Sequence, residues 1–293
     1  LAVIGCSETN GFVPGWRNEL RISGTFVYPG WPAMILPFAD MTPLYNRITT
    51  TTGTGYTGFG TLPFGSTSGT GIYVAAFNCP SRVPDAAVGD RKASIAYAGN
   101  CGSGSNYRRY DGVMLDTGTN KLFGILPGRV SLADIASNDG TSNTVFLSEK
   151  SISRSGTLGI WTGVSGTSAG LMACTFDPVQ PGSNTYVPGF GLVNASNPPP
   201  PLNAPDLGGS SAVGLVNAPS SNHPAGVVMA FGDGRAQFVA ETLQPMVYAQ
   251  LLSWNHSEAI RPPPPPPQPN FFSDVYTNTW KASAYPVLNV NDY

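Results

Sequence analysis

The chain has 293 residues, a formal net charge of −2 and 11% charged residues, against about 25% in typical soluble domains. Its 15 basic residues are scattered singly, so the sequence lacks the basic stripe that neutralises phosphates, and we expect no nucleic-acid partner. No apolar run is long enough for a membrane span. With 35 glycines and 28 prolines, the composition is that of a turn-rich chain. The low charge content means little electrostatic repulsion between copies, which suits a protein that packs beside its own kind.

The N-terminal half predicts few helices. The chain begins without Met and already within an apolar pattern at residues 1–7, which we interpret as the end of a helix in a processed or truncated segment. A second short helix is predicted around 43–48. Strands are predicted at 24–28, 72–78 and 93–98, and the Thr- and Gly-rich stretch 49–60 indicates a surface loop.

The C-terminal half begins with a predicted turn at Asp139-Gly140, which leads into a strand at 144–148. Another strand is predicted at 159–162, and the segment 194–219 is rich in Pro, Asn and Ser, which is typical of a long surface loop. A β-hairpin over 227–240 and a helix over 245–254 complete the predicted elements.

The hairpin is centred on Asp233-Gly234, a pair that favours a two-residue type I′ turn because both turn positions need positive φ. In that register Met229 faces Phe238 and Val227 faces Ala240. Period-two alternation then divides the side chains between two faces. The predicted core face holds Val227, Met229, Phe231, Ala236 and Phe238, and the opposite face holds Arg235 and Gln237.

His223 lies nine residues before Asp233, but a strand about 17 Å long separates the hairpin entry from the turn. Direct contact between these two side chains is therefore not expected. We predict that His223 is a structural loop residue held by a backbone hydrogen bond, and that Asp233 is a turn residue.

Two motif matches lack the context that their chemistry needs. Residues 53–58 match GxGxxG, but four threonines precede them instead of a strand. Residues 166–170 match GxSxG around Ser168, without a strand before or a helix after. The only histidines are His223 and His256, too few for a zinc site unless cysteines are free. We expect no catalytic residue, no metal and no cofactor.

The cysteines are an even number without CxxC spacing, and a chain rich in Gly, Pro, Ser and Thr fits an oxidising exterior. Two disulfides are predicted, with all three pairings open: the candidates are Cys6, Cys79, Cys101 and Cys174. Asn194 and Asn255 each begin an N-x-S sequon on a predicted surface segment, so both are candidates for N-glycosylation.

The C-terminus predicts three parts: a β-rich head at 1–261, a polyproline II linker at 262–269 and an apolar arm at 270–293. The arm is too apolar for a disordered tail. It either packs back on its own head or is carried by the linker to a neighbouring subunit, where it docks or adds a strand. The aromatic residues of this predicted assembly arm are Phe271, Phe272, Tyr276, Trp280 and Tyr285.

Several short blocks occur in the order typical of one bacterial family. The sequence resembles the large family of prepilin-like surface proteins that carry a C-terminal H-x9-DG signature, are abundant in planctomycetes and are catalogued as a domain of unknown function. The resemblance spans most of residues 1–245. The blocks are Leu1-Ala2 with 11–15, 31–38 with 43–46, Phe77-Asn78-Cys79-Pro80-Ser81, Tyr97-Ala98-Gly99-Asn100, 139–144 with Glu149, and His223 with Asp233-Gly234.

The resemblance implies a secreted protein with an α+β, mostly antiparallel β fold: a type IV pilin-like head in which an N-terminal helix packs against the sheet. It carries no catalytic role. The chain departs from the family pattern in lacking the hydrophobic assembly helix and in adding the proline linker and arm. The signature residues are expected to be structural: His223, Asp233, Gly234, Asp139, Gly140, Asn143 and Glu149.

We therefore expect a non-enzymatic extracellular subunit that assembles with its own copies into a filament, tube or surface layer, with the arm contacting a neighbour. One alternative is a secreted module that binds a solute or glycan in a cleft lined by Trp16, Trp31 and Trp161. A serine hydrolase with Ser168 as nucleophile is the less favoured alternative.

Overall fold

The structure is a computed structural model in which short helices accompany antiparallel sheet. The described residues are 1–15, 18–22, 25–27, 29–50, 74–81, 95–100, 112–115, 117, 128–149, 219, 221, 223–243 and 245–255. The predicted combination of helices with antiparallel strands is confirmed. The division into head, linker and arm stays a prediction, because the linker and arm lie outside these ranges.

The described helices are all short. They are α1 (Ala2–Asn10), α2 (Trp31–Met34), α3 (Thr42–Thr50), α4 (Leu132–Ser137) and α5 (Pro245–Leu252), with 3₁₀ turns at Leu36–Ala39 and Ala75–Phe77. The three predicted helices correspond to α1, α3 and α5. Within the described ranges, no helix has the length and apolar character needed to cross a bilayer.

The strands form two antiparallel sheets. A two-stranded sheet pairs β1 (Leu20–Ile22) with β2 (Thr25–Val27). The larger sheet has the order β3 (Tyr97–Gly99), β4 (Val145–Glu149), β5 (Gly226–Phe231) and β6 (Ala236–Ala240). The register of β4 on β5 shifts between Val145 and Leu147, which makes Phe146 the extra residue of a β-bulge.

A buried core joins the helices to one end of the larger sheet. Trp31 is 1% exposed and its ring meets the Phe77 ring edge-on, with centroids 6.3 Å apart. Phe146 from the bulge belongs to the same cluster, and Tyr97 and Leu147 pack against it from β3 and β4. The core beneath the helices is therefore in contact with β3 and β4 of the larger sheet.

Helix α4 was missed in the sequence, although its start carries a recognisable signal. The Ser131 hydroxyl accepts a hydrogen bond from the Asp134 N–H at 3.1 Å, and the Asp134 carboxylate accepts one from the Ser131 N–H at 2.9 Å. The Ser131 hydroxyl also donates to the Asp134 carboxylate at 2.7 Å, and this bond, together with the one from the Ser131 N–H, lowers the pKa of Asp134. The pair is a capping box, so a Ser-x-x-Asp pattern alone would have located the helix.

The predicted strand at 72–78 is wrong over its described part. Ala75–Phe77 form a 3₁₀ turn, in which the Phe77 N–H donates to the Val74 carbonyl at 3.0 Å. The strand predicted at 93–98 is displaced toward its end, since β3 covers Tyr97–Gly99. An apolar run of this length is compatible with either a buried strand or a buried turn. Here its tertiary packing favours the turn.

The hairpin forms as predicted, but its register differs by one residue. Gly226 pairs with Ala240 and Ala230 pairs with Ala236, and the Phe231 N–H donates to the Arg235 carbonyl at 2.8 Å. The loop therefore has three residues, 232–234. Within it, Gly234 has a positive φ of 87° and Asp233 does not, so the predicted type I′ turn is wrong. A type I turn followed by a left-handed glycine is the usual three-residue alternative.

This shift reverses the predicted faces of β6, because a slip of one residue exchanges the two sides of a strand. Val227, Met229 and Phe231 are buried as expected. On β6, however, Val239 is buried at 1% and Phe238 is 49% exposed. The side chains that now share the core-facing side with Met229 and Val227 are Gln237 and Val239, and the outward side carries Ala236, Phe238 and Ala240.

Asn100, directly after β3, links three segments of the chain. Its side-chain amide is fully buried and donates to the Val145 carbonyl at 2.7 Å and to the Leu252 carbonyl at 2.8 Å. Its backbone carbonyl accepts from the Met114 N–H at 2.9 Å. One buried side chain therefore satisfies backbone groups at the start of β4 and at the end of α5.

Replacing Asn100 with Ala should lower the free energy of unfolding by about 2–4 kcal/mol, because two buried carbonyls lose a donor. Urea denaturation followed by tryptophan fluorescence measures this loss. Asn138→Ala is the matched control, since the Asn138 amide donates to the Asp134 carbonyl in an exposed position. A loss for Asn100→Ala no larger than that of the control would contradict the role assigned to Asn100.

Candidate functional site

Three side chains with different donor atoms meet beside the larger sheet. The His223 Nε2 atom lies 3.1 Å from the Glu149 Oε1 atom and 3.7 Å from the Cys79 Sγ atom. All three donor atoms lie within 4.8 Å of one another. We call this group the Cys79–Glu149–His223 cluster; among the described residues it is the one grouping of His, Cys, Asp and Glu close enough to share a metal ion.

Glu149 is the fixed member of the cluster. It is the last residue of β4 and pairs with Tyr97 of β3. Its Oε2 atom accepts a hydrogen bond from the Val228 N–H of β5 at 2.8 Å. The Glu149 side chain is only 5% exposed. A buried carboxylate needs such donors because burial without them carries a large desolvation cost, so strand pairing and this bond together set its position.

His223 lies in the turn that enters β5. Its backbone N–H donates to the Ser221 hydroxyl at 3.0 Å, and that hydroxyl donates to the Gly226 carbonyl at 2.9 Å. Ala225 follows with a positive φ of 65°, a left-handed conformation that reverses the chain direction. The local turn therefore holds the His223 backbone and leaves the ring directed at Glu149.

Cys79 follows the 3₁₀ turn at Ala75–Phe77. The Asn78 amide closes this turn by donating to the Val74 carbonyl at 2.9 Å. The Phe77 carbonyl accepts from the Ala96 N–H at 2.7 Å, next to β3. The segment carrying Cys79 is thus tied to the β3 side of the sheet, which places the thiol beside the end of β4.

The cluster is closed on the sheet side and open on the other. The His223 side chain is 30% exposed, against 5% for Glu149, and Cys79 is half-buried. Tyr97 lies close enough to respond to the cluster: burial raises the pKa of its hydroxyl, and the negative charges of Cys79 and Glu149 raise it further. Solvent therefore reaches the cysteine and histidine but not the carboxylate.

The geometry differs from that of a catalytic triad. In a triad the base uses one ring nitrogen for the nucleophile and the other for the orienting acid. Here Glu149 and Cys79 both lie against the same ring nitrogen, Nε2 of His223. The arrangement suits a structural contact or shared coordination of a cation.

A family model described as "Protein of unknown function (DUF1559)", SBP_bac_10, matches residues 5–246. The chain belongs to the DUF1559 family. This confirms the resemblance to a family catalogued as a domain of unknown function. No curated protein and no solved structure matches the chain.

Two predictions about the DUF1559 signature can now be compared with the structure. His223 is a loop residue whose N–H forms a local hydrogen bond, as predicted, although the acceptor is a hydroxyl and not a backbone carbonyl. Its contacts with Glu149 and Cys79 were missed. The blocks containing Cys79 and Glu149 were recognised separately, but separations of 144 and 74 residues gave no signal that they meet.

The remaining signature residues gather at the opposite end of β4 and β5. Gly140 has a φ of 88°, and the Asn143 amide donates to the Asp139 carbonyl at 3.1 Å. The hairpin loop docks on this turn through two backbone hydrogen bonds: the Gly232 N–H donates to the Thr144 carbonyl, and the Asp233 N–H donates to the Thr141 carbonyl. Asp233 and Gly234 are thus turn residues, as predicted, in a three-residue loop.

The predicted disulfides are not found at Cys6 and Cys79, which are both free thiols. Cys6 is fully buried in α1, where its thiol donates to the Met34 carbonyl at 3.6 Å, and burial raises its pKa. Cys79 faces His223 instead of a second sulfur. Cys101 and Cys174 lie outside the described residues.

Two further residues that were predicted to lie on the surface are buried. Asn255 is 7% exposed, so its predicted place on the surface is wrong. Trp31 is also buried and cannot line a sugar-binding cleft. The predicted sites that lie outside the described residues are Asn194, Trp16, Trp161, Ser168, His256, the GxGxxG stretch 53–58 and the arm aromatics Phe271, Phe272, Tyr276, Trp280 and Tyr285.

Replacing Glu149 with Ala should lower the free energy of unfolding by about 1–3 kcal/mol, because the Val228 N–H loses its acceptor. Glu149→Gln keeps an oxygen at this position and should lose less. Chemical denaturation of both variants checks the order. The control is Glu241→Ala at an exposed position, which we expect to change stability by no more than about 0.5 kcal/mol. Equal losses for the Ala and Gln variants would contradict the assigned hydrogen bond.

Proposed function

We propose that this DUF1559 chain is a non-enzymatic, extracellular structural subunit of pilin-like or pseudopilin-like type that assembles with its own copies into a filament, tube or surface layer. The observation that carries the proposal is the apolar outer face of the hairpin. That face supplies an assembly surface where a monomeric domain would present polar side chains.

The outer face of the hairpin is formed by alternate residues of β5 and β6. Phe238 pairs with Val228, and Ala236 pairs with Ala230. Phe238 is 49% exposed, and Ala236 and Ala240 are exposed beside it. We call this set the hairpin outer face: Val228, Ala230, Ala236, Phe238 and Ala240. None of its members carries a charge.

The position of β6 in the sheet strengthens the case. Among the described strands, β6 is an end strand of the four-stranded sheet. Soluble proteins usually protect such edges with charges, prolines or bulges, because an open apolar edge invites strand addition. Strand β6, Ala236–Ala240, has the sequence AQFVA without lysine, glutamate or proline. A second copy of the chain is therefore a chemically suitable partner.

The C-terminal arm is the segment we propose to occupy this edge in a neighbouring copy. Residues 270–293 contain the aromatic and branched apolar side chains that an added strand would place on the hairpin outer face. The proline-rich stretch before them gives the arm reach, since a polyproline II segment extends about 3.1 Å per residue.

Replacing Phe238 with Lys should weaken self-association at least tenfold, because it adds a charge at the centre of the hairpin outer face. Sedimentation velocity over a concentration series measures the shift from assembly to monomer. Ser137→Lys adds the same charge at an exposed position of α4 and should assemble like the unmodified chain. A wild-type chain that remains monomeric at the highest concentration, or a Phe238→Lys variant that assembles equally well, would refute the proposed surface.

Removing residues 262–293 should also reduce assembly, because the edge of β6 loses its proposed partner segment. Light scattering and negative-stain imaging compare the truncated and full chains, and circular dichroism checks that the head stays folded. Adding an isolated peptide of residues 270–293 to the full chain should compete with the arm and shorten the assemblies. Identical assemblies from full and truncated chains would show that the arm makes no inter-subunit contact.

A further inference from the structure

We propose that Cys79, Glu149 and His223 bind one zinc ion, with a water molecule as the fourth ligand. The three side chains supply a thiolate sulfur, a carboxylate oxygen and an imidazole nitrogen, which are the donor types that zinc takes in proteins. The inference is independent of assembly: the hairpin outer face and this cluster involve different side chains, and either proposal can fail alone.

The distances between donor atoms fit a tetrahedral ion. With a Zn–S bond of about 2.3 Å and Zn–N and Zn–O bonds of about 2.1 Å, the S-to-N edge of the tetrahedron is about 3.6 Å and the N-to-O edge about 3.4 Å. The corresponding separations are 3.7 Å from Cys79 Sγ to His223 Nε2 and 3.1 Å from His223 Nε2 to Glu149 Oε1. The third pair, Cys79 Sγ and the Glu149 carboxylate, lies within 4.8 Å, against an S-to-O edge of about 3.6 Å in the same tetrahedron.

The directions of the contacts also favour a shared ion. A proton on the His223 Nε2 atom can form one well-directed hydrogen bond, yet both the Glu149 oxygen and the Cys79 sulfur face this nitrogen. A cation between the three atoms interacts with all of them at once. It also balances the negative charge of the buried carboxylate and of the thiolate, which removes the cost of placing them together.

The surroundings of the cluster hold the ligands in position. The Glu149 Oε2 atom is occupied by the Val228 N–H at 2.8 Å, which leaves Oε1 directed toward the cluster. The His223 backbone is anchored by the Ser221 hydroxyl. Such contacts outside the ligand atoms fix ligand orientation in known metal sites. The 30% exposure of the His223 side chain leaves an opening for the ion and for the water ligand.

Binding would proceed with a simple exchange of ligands and one proton. The hydrated zinc ion keeps one of its waters and releases the others as the three protein donors bind. The Cys79 thiol loses its proton to solvent as the Zn–S bond forms, and His223 binds through Nε2 as the neutral tautomer that carries its proton on Nδ1. No electron is transferred. The bound ion would connect the segment after the 3₁₀ turn, the end of β4 and the entry to β5, whose ligands are 70 to 144 residues apart in the chain.

The test uses the full chain, stripped of metal with a chelator and kept under a phosphine reductant. Calorimetric titration with zinc chloride should give one ion per chain. Cobalt(II) in place of zinc should give visible bands of a tetrahedral site and a near-ultraviolet thiolate-to-cobalt charge-transfer band. Cys79→Ser and His223→Asn should each lower zinc affinity at least about 100-fold, and Cys79→Ser should abolish the charge-transfer band.

Matched variants separate this site from other ligands in the chain. Cys6→Ser and His256→Asn alter the same residue types and should leave zinc affinity and the cobalt spectrum unchanged. Glu149→Gln should weaken binding, whereas Glu241→Gln should not. Circular dichroism checks that each variant is folded. Because the His223 side chain is 30% exposed, replacing it leaves the hydrophobic core unchanged. Absence of zinc binding by the unmodified chain overturns the proposal, and so does an unchanged affinity or cobalt spectrum in folded Cys79→Ser.

Discussion

The buried carboxylate of Glu149 is the constraint on which the central part of the fold depends. A carboxylate that is 5% exposed must find donors inside the protein, and it finds them on two separate segments. The Val228 N–H fixes the start of β5 against the end of β4, and the His223 ring brings the preceding turn to the same place. Cys79 then completes the contact from the β3 side. The Glu149 side chain thus lies where the end of β4, the entry to β5 and the segment carrying Cys79 meet.

Several of the short blocks described above meet at the two ends of the β4 and β5 pair. At one end lie Cys79, Glu149 and His223; at the other, the hairpin loop docks on the turn that precedes β4. Asn100 joins the middle of this arrangement to the end of α5. These contacts hold both ends of the β4 and β5 pair in place.

Local chemistry made part of this architecture predictable. Strand β4 followed from its apolar run, the hairpin from Asp233-Gly234, and α3 from its amphipathic residues. The hairpin register was missed because Asp-Gly is compatible with both two-residue and three-residue loops, and contacts between Gly232 and Thr144 favour the longer one. The cluster was beyond sequence reasoning, because its three residues belong to separate blocks and the supposed disulfides assigned Cys79 a different partner. The Cys79 thiol is free and faces the His223 ring, a contact that the sequence alone does not indicate.

The three-residue hairpin loop has a consequence for how such a surface can change. Turn length acts on every side chain of β6 together, since alternation along a strand is strict. Deleting one residue from 232–234 would move Phe238 toward the core side and Val239 outward, without replacing any amino acid in the strand. One insertion or deletion in this loop would therefore exchange the exposed and buried side chains of β6, which would otherwise require several point substitutions. A change in the length of this turn therefore alters every exposed side chain of β6 in a single step.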